Sequence, residues 1–317
     1  IGKVYVKQHF PPEAKDRMME MVNNLLLAYK ESIENLDWMT DETRAQALDK
    51  LSKFTVKIGY PDQWRDYSAL TVNASDLFGN LKRSSDVLYE EMLKKQGGPV
   101  WKHEWGMTPQ TVNAYYNPTA NEIVFPAAIL QPPFFDMNAE DAVNYGGIGA
   151  VIGHEIGHGF DDAGSTFDGD GALRNWWTDT DRQEFEARTA KLVEQFNEFE
   201  ALPELFVNGE YTLGENIGDL GGISIALKAY HLTLEGEEAP VIDGYTGDQR
   251  VFIGYGQVWA SKYRDEALRN QIQTDTHSPT KFRTNGALRN VPEFYEAFDV
   301  TEENDLYLPP EERVKIW

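Results

Sequence analysis

The chain has 317 residues, 41% of them hydrophobic and 26% charged, which is the composition of a folded globular protein with one large or two smaller domains. Its formal net charge of −23 excludes nucleic acid and anionic membrane surfaces as expected partners, because both would repel it. It contains no Cys, which excludes disulfides and thiolate chemistry, and no apolar run reaches the roughly 20 residues of a membrane-spanning helix.

The N-terminal third of the chain predicts helices and carries no recognisable chemistry. Because the chain opens at Ile1 and not at Met, we expect a mature product or a fragment, with no targeting segment in view. Apolar residues recur at three-to-four spacing over 11–52, with a break at 35–40. A turn is predicted at 59–62, and an amphipathic helix at 76–93.

The rest of the chain predicts a small β-sheet among further helices. Two short strands, Val112–Tyr116 and Glu122–Phe125, are joined by a turn. Residues 126–135 contain three prolines, which excludes a regular helix and is typical of a pocket wall. Helical patterns follow at 146–161, 184–199, 217–234 and 251–268, before a mixed tail. Together these elements predict a mainly α protein with a small β-sheet, an α+β fold.

The most informative stretch is His154-Glu155-Ile156-Gly157-His158. Residues four apart on a helix lie on one face, so His154 and His158 can bind a single metal ion. Glu155 then projects beside the ion, where it can act as a general base toward a water molecule. The alternative is an ordinary helix with two hydrogen-bonded histidines.

A catalytic zinc site needs a third protein ligand besides two histidines, and it leaves one position open. The six residues after His158 contain no His, so a third histidine on the same loop is excluded. The sequence favours Glu215 instead, since the glycine-rich segment 214–222 allows two helices to approach closely. The alternative for Glu215 is a solvated helix face.

Ligating histidines normally donate their second ring N–H to an acceptor that fixes the ring. Asp219, four residues after Glu215 on the same helix face, is predicted to accept from His154. For His158 the candidate acceptor is Asp162, four residues further along the chain. An ordinary helix-end carboxylate is an equal alternative for Asp162.

These stretches resemble the two zinc motifs of the neprilysin family of zinc metallopeptidases, the first at Val151–Asp162 and the second at Gly214–Asp219. The segment Asn113-Ala114-Tyr115-Tyr116 is similar to the family's substrate-backbone motif. Further similar segments follow in the family's order, at 123–127, 129–135, 257–259, 275–279 and the final Trp317. The resemblance runs from about Lys7 to Trp317.

The resemblance implies roles for the residues of the two zinc motifs. His154, His158 and Glu215 would bind one zinc ion, and Glu155 would activate the attacking water. Asp219 would orient His154.

The resemblance also implies contacts with a peptide substrate. His277 and Arg283 would contact the substrate carbonyl or the developing oxyanion. The weaker alternatives are a turn-capping His and a surface cation. Asn113 and the Ala114 backbone would pair with the peptide main chain. The pocket for the residue after the scissile bond would be lined by Ile129, Phe134, Val151, Val258 and Trp259.

Family members are longer, and the resemblance implies a further half before Ile1. Residues 1–75 would then be the last helices of a helical capping domain, and residues 76–317 a thermolysin-like catalytic domain. Without Cys, the chain resembles the bacterial oligopeptidase branch, and the bacterial cytoplasm, the periplasm and secretion all stay open. The expected partners are oligopeptide substrates and, as an open alternative, a separate N-terminal fragment of the same protein.

The leading interpretation is a zinc endopeptidase that cleaves oligopeptides on the amino side of hydrophobic residues. A zinc aminopeptidase is a weaker alternative, because the chain has no acidic Gly-x-Met-Glu-Asn type segment to anchor a free N-terminus. A third interpretation is a peptide-binding fragment with limited turnover that needs a separate N-terminal half.

Overall fold

The computed structural model describes residues 1–317 and shows a three-stranded sheet and a two-stranded ribbon among twelve α-helices. The predicted mainly α fold with a small β-sheet is confirmed. None of the helices combines the length and the apolarity needed to cross a membrane. The helices are α1 (Gly2–His9), α2 (Pro12–Glu34), α3 (Asp41–Ser52), α4 (Leu77–Lys95), α5 (Asp141–Asn144), α6 (Ala150–Gly157), α7 (Asp179–Asn197), α8 (Leu213–Thr233), α9 (Gly247–Val258), α10 (Asp265–Thr274), α11 (Thr280–Leu288) and α12 (Pro292–Phe298). The strands are β1 (Thr55–Gly59), β2 (Tyr115–Asn117), β3 (Glu122–Pro126), β4 (Glu200–Leu202) and β5 (Leu205–Phe206).

Helix α8 lies at the centre of the fold, against α2, α6 and α11. Glycines at the crossing let α6 and α8 touch through their backbones. A Cβ on Gly153 of α6 would lie 2.8 Å from the carbonyl oxygen of Gly222 on α8. A Cβ on Gly218 would lie 2.7 Å from Nδ1 of His154, which is closer than side chains pack. The missing side chains therefore bring the two motif-bearing helices into direct contact.

The three-stranded sheet has β3 at its centre, parallel to β1 and antiparallel to β2. All five residues of β3 are buried, as in a covered central strand. The sequence predicts only the turn after β1 and misses the strand itself, because its partner is distant in the chain and Lys57 interrupts its apolar pattern. In the structure Nζ of Lys57 lies 2.6 Å from Oε2 of Glu122, which neutralises the buried cation.

The histidine-bearing helix is shorter than predicted. Instead of one helix over 146–161, a π-helical turn at Tyr145–Gly149 leads into α6, which ends at Gly157. A Cβ on Gly146 would lie 1.9 Å from the carbonyl oxygen of Val251 in α9. The π-helical turn therefore packs directly on the backbone of α9, and such turns are often found at functional sites.

The predicted helix at 251–268 is two helices in the structure. Helix α9 ends at Val258 and α10 begins at Asp265. Residues 260–264 between them are all exposed. The apolar face that holds α9 to the core does not continue through this segment, so packing does not support a continuous helix.

Candidate active site

The side chains of His154, His158 and Glu215 meet between α6 and α8. Their ligand atoms all lie within 4.8 Å of one another. Oε2 of Glu215 is 3.1 Å from Nε2 of His154, and Oε1 is 3.8 Å from Nε2 of His158. The structure thus brings together three side chains from two distant segments of the chain.

The donor atoms fit a divalent cation such as zinc. Oε2 of Glu215 is buried and lies 3.1 Å from Nε2 of both His154 and His277, yet neither contact is aligned as a hydrogen bond. In a tetrahedral site with bonds of about 2.0–2.2 Å, neighbouring ligand atoms are about 3.3–3.6 Å apart. The separations of 3.1 and 3.8 Å between the Glu215 oxygens and the two Nε2 atoms lie on either side of this range. Two imidazoles and one carboxylate are also a donor set of catalytic zinc sites with one open position.

The second ring nitrogen of His154 is held by a buried charged network. Nδ1 lies 2.9 Å from Oδ1 of Asp219, whose two oxygens also accept from Nε and Nη2 of Arg283, each at 2.7 Å. Burial lowers the pKa of His154, but Asp219 and Glu215 raise it to about 10. Burial alone would raise the pKa of Asp219, yet Arg283 and His154 hold it below its usual value. Asp219 therefore stays ionised and orients the imidazole.

The second ring nitrogen of His158 is held by a local loop. Nδ1 lies 2.7 Å from Oδ2 of Asp161, and Oδ1 of Asp161 accepts from two backbone N–H groups of the following turn at 2.9 and 2.6 Å. The candidate acceptor Asp162 was therefore the wrong residue. Helix α6 ends at Gly157 and the chain turns after His158, so the carboxylate three positions on faces the ring.

Glu155 lies on α6 between the two histidines and is buried. Burial raises the pKa of its carboxyl group, against the opposing charges of His158 and His154. A carboxylate whose pKa is raised toward neutrality is suited to proton transfer, because it can both accept and return a proton.

His277 and Arg283 approach Glu215 from α11 and the turn before it. Nε2 of His277 lies 3.1 Å from Oε2 of Glu215, and its Nδ1 is hydrogen-bonded to Asp275 at 2.7 Å. The Glu215 carboxylate raises the pKa of His277 against its partial burial. Arg283 is buried, so the alternative of a surface cation is wrong. Both side chains face the Glu215 carboxylate.

The two residues expected to pair with a peptide main chain lie just before an edge strand. Asn113 is exposed and Ala114 is buried, and both precede β2. Because β2 is an outer strand of the sheet, one of its sides has no partner strand within the chain. An outer strand is a common site for peptide main-chain pairing. The Ala114 N–H donates to the Asn113 side chain at 2.9 Å.

The residues expected to line a hydrophobic pocket differ in exposure. Ile129 is buried, whereas the other four, Phe134, Val151, Val258 and Trp259, are half-buried. A Cβ on Gly147 would lie 2.5 Å from the carbonyl oxygen of Phe134 and 3.5 Å from Cγ1 of Val258, so the π-helical turn brings these two together. The Trp259 ring centroid is 3.9 Å from Cζ of Arg283, which links this wall to the hydrogen-bonded pair of Arg283 and Asp219.

Three residues of the site were missed by sequence reasoning. Asp161 is hydrogen-bonded to Nδ1 of His158, and Asp275 to Nδ1 of His277. The Tyr29 hydroxyl donates to the carbonyl oxygen of Gly153 at 2.8 Å, and so fixes α6 from α2. Asp275 could have been found from its position two residues before His277, but nothing in the sequence connects Tyr29 with α6.

Two histidines on one helix, a glutamate from a second helix and a buried glutamate beside them define a site of the metallopeptidase type. Two family models described as peptidase family M13 match the chain, over residues 1–61 and 113–314. The chain belongs to peptidase family M13. The resemblance to the neprilysin family is thereby confirmed.

Curated relatives and solved structures agree with this assignment. The chain is 40% identical to neprilysin-1 of Caenorhabditis elegans, covering 100% of this chain and 44% of the relative, and 36% identical to a neutral endopeptidase of Lactobacillus helveticus, covering 100% and 47%. Inhibitor-bound zinc metalloprotease Zmp1 of Mycobacterium tuberculosis superimposes with a TM-score of 0.94 at 58% identity, covering 100% of this chain and 49% of that one. PepO of Lactobacillus rhamnosis superimposes with a TM-score of 0.90 at 35% identity, covering 100% and 49%. The chain thus spans about half the length of these proteins.

Proposed function

We propose that this chain carries the catalytic centre of a zinc-dependent endopeptidase that hydrolyses oligopeptides on the amino side of hydrophobic residues. One observation carries the proposal: the ligand atoms of His154, His158 and Glu215 lie within 4.8 Å of one another, beside the buried Glu155. Membership of family M13 supports it, since the solved Zmp1 structure is that of a zinc metalloprotease.

His154, His158 and Glu215 would hold one zinc ion per chain. When bound, zinc supplies a Lewis acid for the scissile carbonyl group. Asp219 would accept a hydrogen bond from the Nδ1–H of His154, and Asp161 one from the Nδ1–H of His158. The Nε2 lone pair of each ring then remains available to the metal.

Glu155 would act as the general base. It takes a proton from the attacking water and passes it to the amine that leaves, so a single carboxylate serves both halves of the reaction. Its burial between the two histidines raises its pKa and so favours uptake of the proton from the water.

His277 and Arg283 would stabilise the negative charge that develops on the carbonyl oxygen. Asp275 fixes the His277 ring, and Asp219 fixes the Arg283 guanidinium, so both groups are oriented before a substrate arrives. Such pre-oriented donors typically contribute about 10²- to 10³-fold each to kcat.

The peptide would lie along β2, with Asn113 and the Ala114 backbone pairing with its main chain. The side chain of the residue after the scissile bond would enter a pocket. Its wall would be formed by Phe134, Val151, Val258 and Trp259, with Ile129 behind them. Their apolar, half-buried character supports a preference for hydrophobic residues at that position.

The domain division stays part of the proposal. Residues 1–75 would be the last helices of a capping domain, and residues 76–317 the catalytic domain. Because the chain spans about half the length of its relatives, a second interpretation is a peptide-binding part that needs a separate N-terminal half for full turnover. Native mass spectrometry of the natural protein separates the two, since a companion polypeptide adds a second mass.

The test uses acetylated peptides that differ only in the residue after the expected scissile bond. We expect cleavage before Leu or Phe at a kcat/KM at least about tenfold above that for Gly or Asp, because one well-filled apolar pocket contributes that much. A zinc chelator should abolish the cleavage and added zinc restore it. Cleavage only of peptides with a free N-terminus would identify an aminopeptidase instead, and cleavage unaffected by removal of zinc would contradict the proposal.

A further inference from the structure

Lys50 on α3 is a fully buried cation with no part in the chemistry described above. Its side chain is 0% exposed. Nζ donates to the carbonyl oxygens of Gly164, at 2.8 Å, and Phe167, at 2.7 Å. Both acceptors belong to the loop that follows the histidine-bearing helix.

The surroundings of the Lys50 ammonium group are mostly aromatic. Nζ lies 5.8, 5.6 and 6.0 Å from the ring centroids of Tyr116, Phe160 and Trp176. Burial lowers the pKa of Lys50 to about 7, although Asp161 and Asp168 oppose the shift. An apolar side chain would fill this aromatic site without the cost of desolvating an amine. A lysine here therefore indicates a need for its hydrogen bonds.

The hydrogen bonds of Lys50 lead to His158 through one peptide unit. The Gly164 carbonyl oxygen accepts from Lys50, and the Gly164 N–H donates to Oδ1 of Asp161 at 2.6 Å. The other oxygen of Asp161 lies 2.7 Å from Nδ1 of His158. A Cβ on Gly164 would lie 1.7 Å from the His158 carbonyl oxygen, so this loop is packed directly on the histidine.

The backbone of Lys50 is fixed as well. The Asn121 side-chain amide, which is buried, donates to the Lys50 carbonyl oxygen at 3.0 Å and to the Gly169 carbonyl oxygen at 3.3 Å. Asn121 thus joins α3, the start of β3 and the end of the loop. Lys50 is anchored on one side and holds the loop on the other.

We propose that Lys50 is a positioning residue of the metal site, which fixes the 159–167 loop so that Asp161 holds His158 in the orientation that binds the metal. The inference rests on the proposed function, in which His158 is a zinc ligand. Helix α3 would thus contribute to metal affinity indirectly, through Gly164 and Asp161.

The test measures zinc affinity by competition with a chromogenic chelator, in the natural polypeptide that contains this chain. Lys50→Met keeps an unbranched apolar side chain, one atom shorter than that of Lys, and removes both hydrogen bonds. We expect it to weaken zinc binding about tenfold, the lower end of what loss of a supporting partner costs a metal site. Lys50→Arg keeps the charge and the donors and should bind zinc within about threefold of wild type.

A matched control is Lys53→Met. Lys53 is exposed and pairs with Asp49 and Asp170, at 2.8 and 3.1 Å, at the same end of α3. It should bind zinc like the wild type. If Lys50→Met does not fold, Lys50→Gln, which is one atom shorter and keeps one donor group, replaces it in the same comparison.

A double-mutant cycle with Asp161→Asn separates a positioning role from general destabilisation. If Lys50 acts through Asp161, the losses of zinc affinity are not additive, because the second change removes an orientation already lost. Zinc affinity of folded Lys50→Met within twofold of wild type, or additive losses in the cycle, would overturn the inference. If the wild type itself binds no zinc, the proposed function is contradicted. This outcome differs from failure of the inference about Lys50, in which the wild type does bind zinc.

Discussion

The two histidines of one motif are supported in different ways. His154, whose side chain is 7% exposed, is held by Asp219 from α8 and through it by Arg283 from α11. His158, whose side chain is 18% exposed, is held by Asp161, only three residues further along the chain. One orientation depends on the packing of three helices, and the other on a short loop that α3 anchors. We therefore expect that loss of one support leaves the orientation of the other histidine unchanged.

The two supports also differ in what their removal leaves behind. Without the Asp219 charge, Arg283 would be a buried cation whose nearest remaining carboxylate, that of Glu215, is 3.8 Å away. Without the Asp161 charge, the His158 ring and two backbone N–H groups of the loop face a neutral side chain, while Lys50 keeps its two carbonyl acceptors. An uncompensated buried charge costs more than a weakened neutral hydrogen bond. We therefore expect unequal effects from the same Asp→Asn change at the two positions.

The largest expected effect comes from Glu155→Gln, which leaves both supports intact. We expect peptidase activity to fall about 10²- to 10⁴-fold, because the amide cannot accept the proton. Zinc affinity should stay at the wild-type value, since Glu155 is not a ligand. Steady-state cleavage of an acetylated peptide and zinc titration measure the two quantities, with Glu186→Gln on the exposed face of α7 as the control. Full activity with bound metal would show that Glu155 is not the base.

His277→Ala is expected to lower kcat about 10²- to 10³-fold, because one donor toward the developing oxyanion is lost. His277 lies 3.1 Å from Oε2 of Glu215 but is not one of the three proposed ligands, so the zinc affinity should change less than kcat. His103→Ala, at an exposed position, is the control and should have wild-type kinetics. A rise in KM alone would assign His277 to substrate binding and not to the transition state.

Asp219→Asn breaks the helix-packed support. We expect zinc affinity to fall about 10- to 100-fold, as for other acceptors of ligating histidines, and thermal stability to fall too because Arg283 loses its charged partner. Chelator competition and thermal unfolding check both effects. Wild-type zinc affinity in a folded Asp219→Asn protein would show that this network does not orient His154.

Asp161→Asn breaks the loop support and should have the smallest effect of the set. We expect zinc affinity to fall about tenfold with little change in unfolding temperature, since the buried Lys50 keeps its hydrogen bonds to two carbonyl oxygens. Asp162→Asn, at the exposed neighbouring position, is the matched control and should bind zinc like the wild type. A greater loss in Asp162→Asn than in Asp161→Asn would contradict the geometry of the loop.

The sequence predicts the parts of the site that follow from helix periodicity. Two pairs of residues have four-residue spacing, His154 with His158 and Glu215 with Asp219. This spacing places the members of each pair on one face of a helix. The acceptor of His158 was mistaken because Asp161 and Asp162 exchange roles according to where α6 stops. The loop after α6 is held by Lys50, which is distant in the chain, and no local sequence pattern predicts that contact.

For the fold, too, local patterns were predicted and contacts between distant segments were not. Long amphipathic segments such as α2 and α4 were predicted, because their periodicity is local. Strand β1 was missed, because it is defined by pairing with β3, across the whole of α4. The break between α9 and α10 was also missed, because it reflects the loss of core contacts after Trp259.

The proposed function requires a single zinc site formed by residues from both motif-bearing helices, α6 and α8. Native mass spectrometry of the wild type and of Glu215→Ala tests this. We expect one zinc ion per chain in the wild type and none in Glu215→Ala, with the fold retained. Stoichiometric zinc in the folded Glu215→Ala protein, or a wild type that binds no zinc, would contradict the account.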